Sequence, residues 1–316
     1  MTIAAGLIVS RLLHYLAVSV IFGAALFPLY ATGHPALAAY RMLAWLPRLL
    51  LYAALLALAS GILWLIFAAA GMRGSLAGAF DPVTLPMIVS QTNFGRLWAA
   101  RLALAAGLAA LLFLKPNRSR IYGVLFGSAI LLVSLAGTGH TGADESDAAA
   151  IHVLADALHL LAAAMWIGAL VVFVTMLVIS RRTRLEGDAT ILHEALVRFS
   201  EIGGSMVVVL VFSGLMNPNV LASVGTRYGQ VLLVKLILFG AMLPFAAANR
   251  FWLTPKLASA LDAKSGSEGP IRALRASILA EMAIAVLVMA AVAWLGTLSP
   301  SGIGNDIPDL GRINAR

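Results

Sequence analysis

The chain has no cysteine among its 316 residues. That excludes disulfides and thiolate ligation, and leaves histidine, methionine, carboxylate or backbone oxygen as the donors for any metal. Charge is scarce as well: 11% of residues are Asp, Glu, Lys or Arg against 61% apolar, and the mean hydropathy is +0.95. So little polar surface cannot cover a soluble globule of this size, and lipid must take the place of water over most of it. Acidic residues are the scarcer sign, 14 against 22 basic, for a net charge of +8. This excess does not mark a nucleic-acid binder, because the cations lie between long apolar runs and form no basic face. The first apolar run carries Arg11 and lacks a basic leader with a small-residue cleavage site, so it is predicted to be a retained helix and not a signal peptide.

About 20 apolar residues are needed to cross a bilayer as a helix. The sequence divides on that rule into runs at 6–30, 49–70, 97–114, 121–139, 151–179, 199–216, 231–248 and 277–298. Backbone polar groups cannot go unpaired in lipid, so each run is predicted to be a helix. The fold class is therefore all-α, a polytopic membrane protein of about eight spans. Alternate loops carry Arg41 and Arg48, then Lys115, Arg118 and Arg120, then Arg181, Arg182 and Arg184, then Arg250, Lys256, Lys264, Arg272 and Arg275. By the positive-inside rule these face the cytoplasm. The loop 139–150 has no Lys or Arg but holds Asp144, Glu145 and Asp147, so it and both termini are placed outside, in the periplasm of a bacterial inner membrane. Arg73 and Arg96 run against the rule on that side.

The runs repeat in pairs. The first reads RLLHYLAVSVIFGAALF and the fifth DALHLLAAAMWIGALVVF, so that His14 to Gly23 and His159 to Gly168 share one spacing. The third and seventh align Gly95 with Gly229 and Arg101 with Lys235, and each ends in Asn-Arg. The second and sixth share Ser60-Gly61 and Ser213-Gly214, and the fourth and eighth share Gly137-Thr138 and Gly296-Thr297. Four pairs in one order predict a duplicated four-helix unit, residues 1–145 and 146–300, followed by a short polar tail at 301–316. An even number of spans gives both units the same orientation, with a pseudo-twofold along the membrane normal.

Departures from the repeat point to chemistry. The fourth run ends GTGHTGADES where the eighth ends GTLSPSG, so His140 has no counterpart. Arg11 aligns with Asp156, three residues before each paired histidine and therefore on the same helix face. His14, His140, His152 and His159 all fall at one level near the outer surface, and His152, Asp156, His159, Ala163 and Trp166 form one stripe. Ionisable groups within a span are costly and face the bundle interior. His159 with Asp156 and His152 reads as a metal or ion site. His14 reads either as a ligand or as an interhelical hydrogen-bond partner, and His140 either as a ligand or as a helix-end cap. Met165 lies in the outward half, where a thioether suits Cu(I). Asp144, Glu145 and Asp147 read as a solvated loop that raises the local cation concentration. Arg101, Lys235 and Glu281 are read as structural, Glu281 pairing with Arg250 or Asn249. Histidines on facing helices are also how membrane b-type cytochromes hold haem, so a haem-binding electron-transfer protein using His14 and His159 is the alternative.

The segment GTGHTGADES followed by DALHLLAAAMWIGALVVF resembles the CopD family of copper-resistance membrane proteins. The second half, from RFSEIGGS to LRASILAEMAIAVLVMAAVAWLGTLSP, is similar to that family almost end to end. His140, His159, Trp166 and Gly168 match its pattern, and Ala169 stands where other members often have glycine. The resemblance implies an inner-membrane, non-enzymatic protein that handles copper, as Cu(I) or Cu(II), with a separate periplasmic CopC-like copper-binding partner. Together with the histidine cluster it leads to the expectation that copper from the periplasm is taken at His140 and passed to His159, His14 and His152, with Asp156 as a ligand or as a group orienting one. The sequence shows no ATP-binding loop or phosphorylation motif, so movement across the membrane is expected to be passive or gradient-coupled.

Overall fold

The computed structural model describes residues 2–31, 43–115, 117–136, 149–183, 186–215, 225–263 and 266–298. His140, His34, Asp144, Glu145 and Asp147 lie outside the described residues. Eight apolar helices carry the fold: α1 Ile3–Ala31, α2 Leu46–Arg73, α3 Asn93–Phe113, α4 Arg118–Val133, α5 Ala149–Thr183, α6 Glu186–Leu215, α7 Arg227–Ala248 and α8 Glu268–Leu295. Among the described residues, seven are long and apolar enough to cross a membrane. The eighth, α4, has 16 helical residues, about 24 Å of rise against a hydrocarbon core of ~30 Å. No strand occurs among the described residues. The chain is thus an all-α polytopic membrane protein, as its apolar runs predict.

Two helices run on past their apolar runs. α6 begins at Glu186, more than three turns before its apolar stretch, with Asp188, His193 and Glu194 on the extension. α7 continues through a π turn, Asn249–Leu253, into a further helix, Thr254–Asp262. Residues there are too polar to be read as a span, but helical hydrogen bonding needs no apolar sequence to continue. On the other face, α2 and α3 are joined by two short helices, Leu76–Ala79 and Thr84–Gln91. Arg73 closes this loop through an ion pair with Asp81 at 3.0 Å and a hydrogen bond to Thr84. The Val83 amide and the Thr84 hydroxyl, with Arg73, hold the Asp81 carboxyl below the usual range, so the pair persists at neutral pH. One of the two arginines that break the positive-inside pattern is thereby neutralised within its own loop.

α1 and α5 are the central helices. Over half of the apolar window of each is buried, 56%, against 17% for the window containing α7. α1 packs on α2, α4, α5 and α8, and α5 on α6, α8, α1 and α4. Where α1 crosses α5, Gly23 and Gly168 bring the two backbones together. A Cβ on Gly168 would lie 2.4 Å from Gly23 backbone atoms, and one on Gly23 2.0 Å from the Ala164 carbonyl oxygen. Lipid offers no hydrophobic drive between helices, so such close approach of small residues is what supplies dispersion contact. Around the crossing Phe27, Phe173 and Phe199 interlock edge to face, at 5.2 and 5.4 Å between centroids. Outer faces stay apolar and exposed to lipid, with Leu233 and Ile237 on α7 and Phe126 and Ile130 on α4.

Gly168→Ala is expected to lower the thermal unfolding midpoint of the detergent-solubilised protein, with a cost at or above the ~1–3 kcal/mol of overpacking. Gly240→Ala, whose added methyl meets nothing within 4 Å, is expected to leave it unchanged or raised. Circular dichroism melts of the two variants make the comparison.

Candidate metal site

The two paired histidines sit in closely related surroundings. His14 on α1 faces α2, where its Nδ1–H donates to the Ala57 carbonyl at 3.0 Å and lies 3.4 Å from Ser60 Oγ. His159 on α5 faces α6, where its Nδ1 is 2.9 Å from Ser213 Oγ. Ser213 spends its own hydrogen on the Val209 carbonyl, so it accepts from His159 and sets the Nδ1–H tautomer. Ser60 likewise donates to Leu56, at 2.6 Å. Ser60 and Ser213 are the positions that the repeat aligns.

Beyond this shared frame the halves diverge. In the first, Arg101 of α3 donates to His14 Nε2 at 2.8 Å, to the Leu131 carbonyl at 3.0 Å and to Ser134 Oγ. A guanidinium only donates, so the Nε2 lone pair is given to it. His14 and Arg101 are 1% and 2% exposed, and both imidazole nitrogens are committed. Trp64 and Trp98 fill the remaining space, their centroids 4.4 Å apart and each within 6 Å of the imidazole centroid, with Trp98 Nε1 donating to the Gly61 carbonyl at 2.9 Å. Arg11 does not reach His14. Its guanidinium stacks over Trp64 at 4.8 Å and abuts Gly296 at the end of α8.

In the second half the residues aligned with Trp98 and Arg101 are Leu232 and Lys235. Leu232 is much smaller than an indole, and a cavity of about 230 Å³ opens between α5, α6, α7 and α8. Asp156, His159, Lys235, Met242 and Met289 line it. Among the described residues His159 Nε2 has no hydrogen-bond partner, so its lone pair is open to the cavity. An imidazole whose Nδ1–H is held by an oxygen while Nε2 stays free is the usual metal-binding arrangement. Carboxylate and two thioethers within the same walls extend the donor set toward soft cations.

The remaining predicted residues fall as follows. Asp156 lines the cavity with His159. His152 is one to two turns further along α5, half-buried. Met165 packs against the apolar core and does not line the cavity. Trp166 lines it and donates through Nε1 to Glu281 at 2.6 Å. Glu281 also accepts from Asn249 at 2.9 Å, one of the two partners its sequence context suggests. No group of three or more His, Asp or Glu side chains is poised around one point among the described residues. Met242 and Met289 escape the sequence reading because methionines in an apolar chain look like packing. Lys235 and Arg101, read as structural, face the histidines; their equal depth in paired helices is the signal that links them.

Two family models match the sequence: "Copper resistance protein D-like, N-terminal domain" over residues 1–150 and "Copper resistance protein D" over residues 193–295. The chain is 34% identical over 295 residues to "Copper resistance protein D" of Pseudomonas syringae pv. tomato, covering 90% of this chain and 94% of that one. It is 30% identical over 297 residues to "Inner membrane protein YebZ" of Escherichia coli, covering 92% and 97%. To "Copper transport protein CutJ" of Bacillus subtilis it is 31% identical over 234 residues, 71% of this chain and 40% of that one. No solved structure matches. The haem alternative finds no support in these matches, and the His14 Nε2 lone pair that a haem iron would need is already given to Arg101.

Loss of the first-half hydrogen bond should weigh more on stability than loss of its counterpart. His14→Ala removes a partner of a buried guanidinium and is expected to destabilise by about 1.5–3 kcal/mol. His159→Ala gives up a neutral hydrogen bond beside an existing cavity, at about 1 kcal/mol. Thermal unfolding of both variants in detergent checks the order.

Proposed function

Because the chain belongs to the copper resistance protein D family, we propose that it moves copper ions from the periplasm across a bacterial inner membrane through the cavity of its second half. The observation that carries this reading is the cavity itself: His159, Asp156, Met242 and Met289 surround open space at the position where the first half is filled by Trp64, Trp98 and Arg101.

In this reading the two four-helix units, 1–145 and 146–300, have separate tasks. Arg101 supplies the first unit with an internal cation. Its charge occupies the position at His14 Nε2 that a metal would take, which makes His14 the built-in counterpart of the working site. His159 Nε2 is the principal ligand in the second unit. Thioether sulfur from Met242 and Met289 suits Cu(I), whereas Asp156 suits Cu(II) and orients the cation against Lys235. Imidazole accepts either state. His152 continues the α5 stripe toward the outer end and serves entry with His140. Met165, which the sequence offered as a ligand, is assigned to packing. Both termini face the periplasm, where a separate CopC-like protein delivers the ion. Transport is passive or gradient-coupled, and the role is non-enzymatic.

Purified protein is expected to bind copper at one equivalent, measured by atomic absorption after desalting. His159→Ala is expected to lose at least tenfold in affinity, and Met242→Leu with Met289→Leu to lose Cu(I) in preference to Cu(II). Unchanged copper binding by folded His159→Ala would remove the basis for the reading. Copper accumulation in cells with and without the gene then distinguishes import from binding alone.

A further inference from the structure

A second cavity, of about 270 Å³, lies next to the first on the side of the π turn. Phe199, Gly204, Asn249, Arg250 and Glu281 are among its walls, and Trp166 lines both cavities. On every shared helix the second cavity takes residues further from the His152 end: on α5 Leu170 and Phe173 after Ala163 and Ile167, and on α8 Ile278 and Glu281 before Ala285 and Met289. The two spaces therefore follow one another through the same four-helix unit, with the Trp166 indole between them.

Glu281 is 2% exposed and sits within a membrane span. Among the described residues its carboxyl takes part in no ion pair. An unpaired carboxylate at that depth is costly. Its two oxygens instead take one hydrogen bond each, from Trp166 Nε1–H at 2.6 Å and Asn249 Nδ2–H at 2.9 Å. The other end of the Asn249 amide, Oδ1, is buried with no partner among the described residues. That orphaned acceptor beside a carboxyl suggests a second state. With Glu281 protonated, a half-turn of the amide lets Oδ1 accept from the new O–H, while Trp166 still donates to the other oxygen. Both protonation states are thus satisfied by side chains already in place.

We propose that Glu281 is a proton-binding site that exchanges its proton for the copper cation. Glu281 holds a proton while the inner cavity is empty of metal. As the cation passes Trp166, the O–H bond breaks, its electron pair stays on the carboxylate oxygen, and the proton leaves to water on the Arg250 side. No oxidation or reduction is involved. The charged and titratable groups around it are few. Arg250 lines the same cavity, and Asp156, His159 and Lys235 line the neighbouring one. α6 presents Phe199 and Ser200. From α1, Tyr30 approaches through Phe199, at 6.4 Å between rings, and Arg11 lies at the far end of α8 against Gly296. Lys256 on the helix after the π turn is exposed. This exchange rests on the reading that copper crosses the second half.

The test uses full-length protein in lipid vesicles, followed by infrared difference spectroscopy. A protonated-carboxyl C=O band is expected to vanish as pH is raised, to be absent in Glu281→Gln, and to titrate at a different pH in Asn249→Ala, where the amide switch is gone. Adding Cu(I) at a pH where the band is present is expected to abolish it in the wild type. A band unaffected by Glu281→Gln, or one that persists when copper is bound, overturns the proposal. Failure of the copper site itself shows separately, as unchanged copper stoichiometry in His159→Ala.

Discussion

The backbone contact of α1 with α5 at Gly23 and Gly168 is the constraint on which the rest of the structure depends. Neither position accepts a Cβ without moving the other helix. Because the two glycines occupy equivalent places in their runs, the contact joins like to like, and each central helix also packs against the last helix of the other half, α1 on α8 and α5 on α4. His14 and His159 lie nine residues before these glycines, so fixing the crossing also fixes the depth of both imidazoles. The serines of α2 and α6 meet them in matching fashion.

From that common frame, two substitutions distinguish the halves. An indole at 98 is a leucine at 232, and a guanidinium at 101 is an ammonium at 235. A planar guanidinium reaches His14, Ser134 and a carbonyl at once, whereas Lys235 is a point charge on a flexible stem. The first site closes around its arginine; the second keeps open space around an imidazole. In our account a four-helix unit was duplicated, and its two copies were divided between a half that holds the bundle together and a half that handles the ion.

Much of the fold was legible in the residues. Eight apolar runs became eight helices because lipid leaves the backbone no other way to satisfy itself. The ends of α6 and α7 were not, since amphipathic extensions such as 186–198 and the π turn at Asn249 carry no apolar signature. At the site, Asp156 and His159 shared a stripe and line one cavity, and Asn249 was foreseen as a partner of Glu281. The engagement of His14 by Arg101 was not foreseen. Periodicity gives depth and face along one helix, but whether a cation on a neighbouring helix turns toward a histidine depends on the crossing angles between them. Met242 and Met289 stayed hidden for a similar reason: a thioether that lines a cavity and one that packs a core have the same neighbours in sequence.

The central claim is that copper sits in the second half, in the space the first half fills with Trp64, Trp98 and Arg101. Anomalous difference density at the copper edge, from crystals of the copper-loaded protein, locates the ion directly. The account predicts a peak beside His159 Nε2, within reach of Met242, Met289 or Asp156, and none at His14. A peak at His14, with Arg101 displaced from its Nε2, would contradict it.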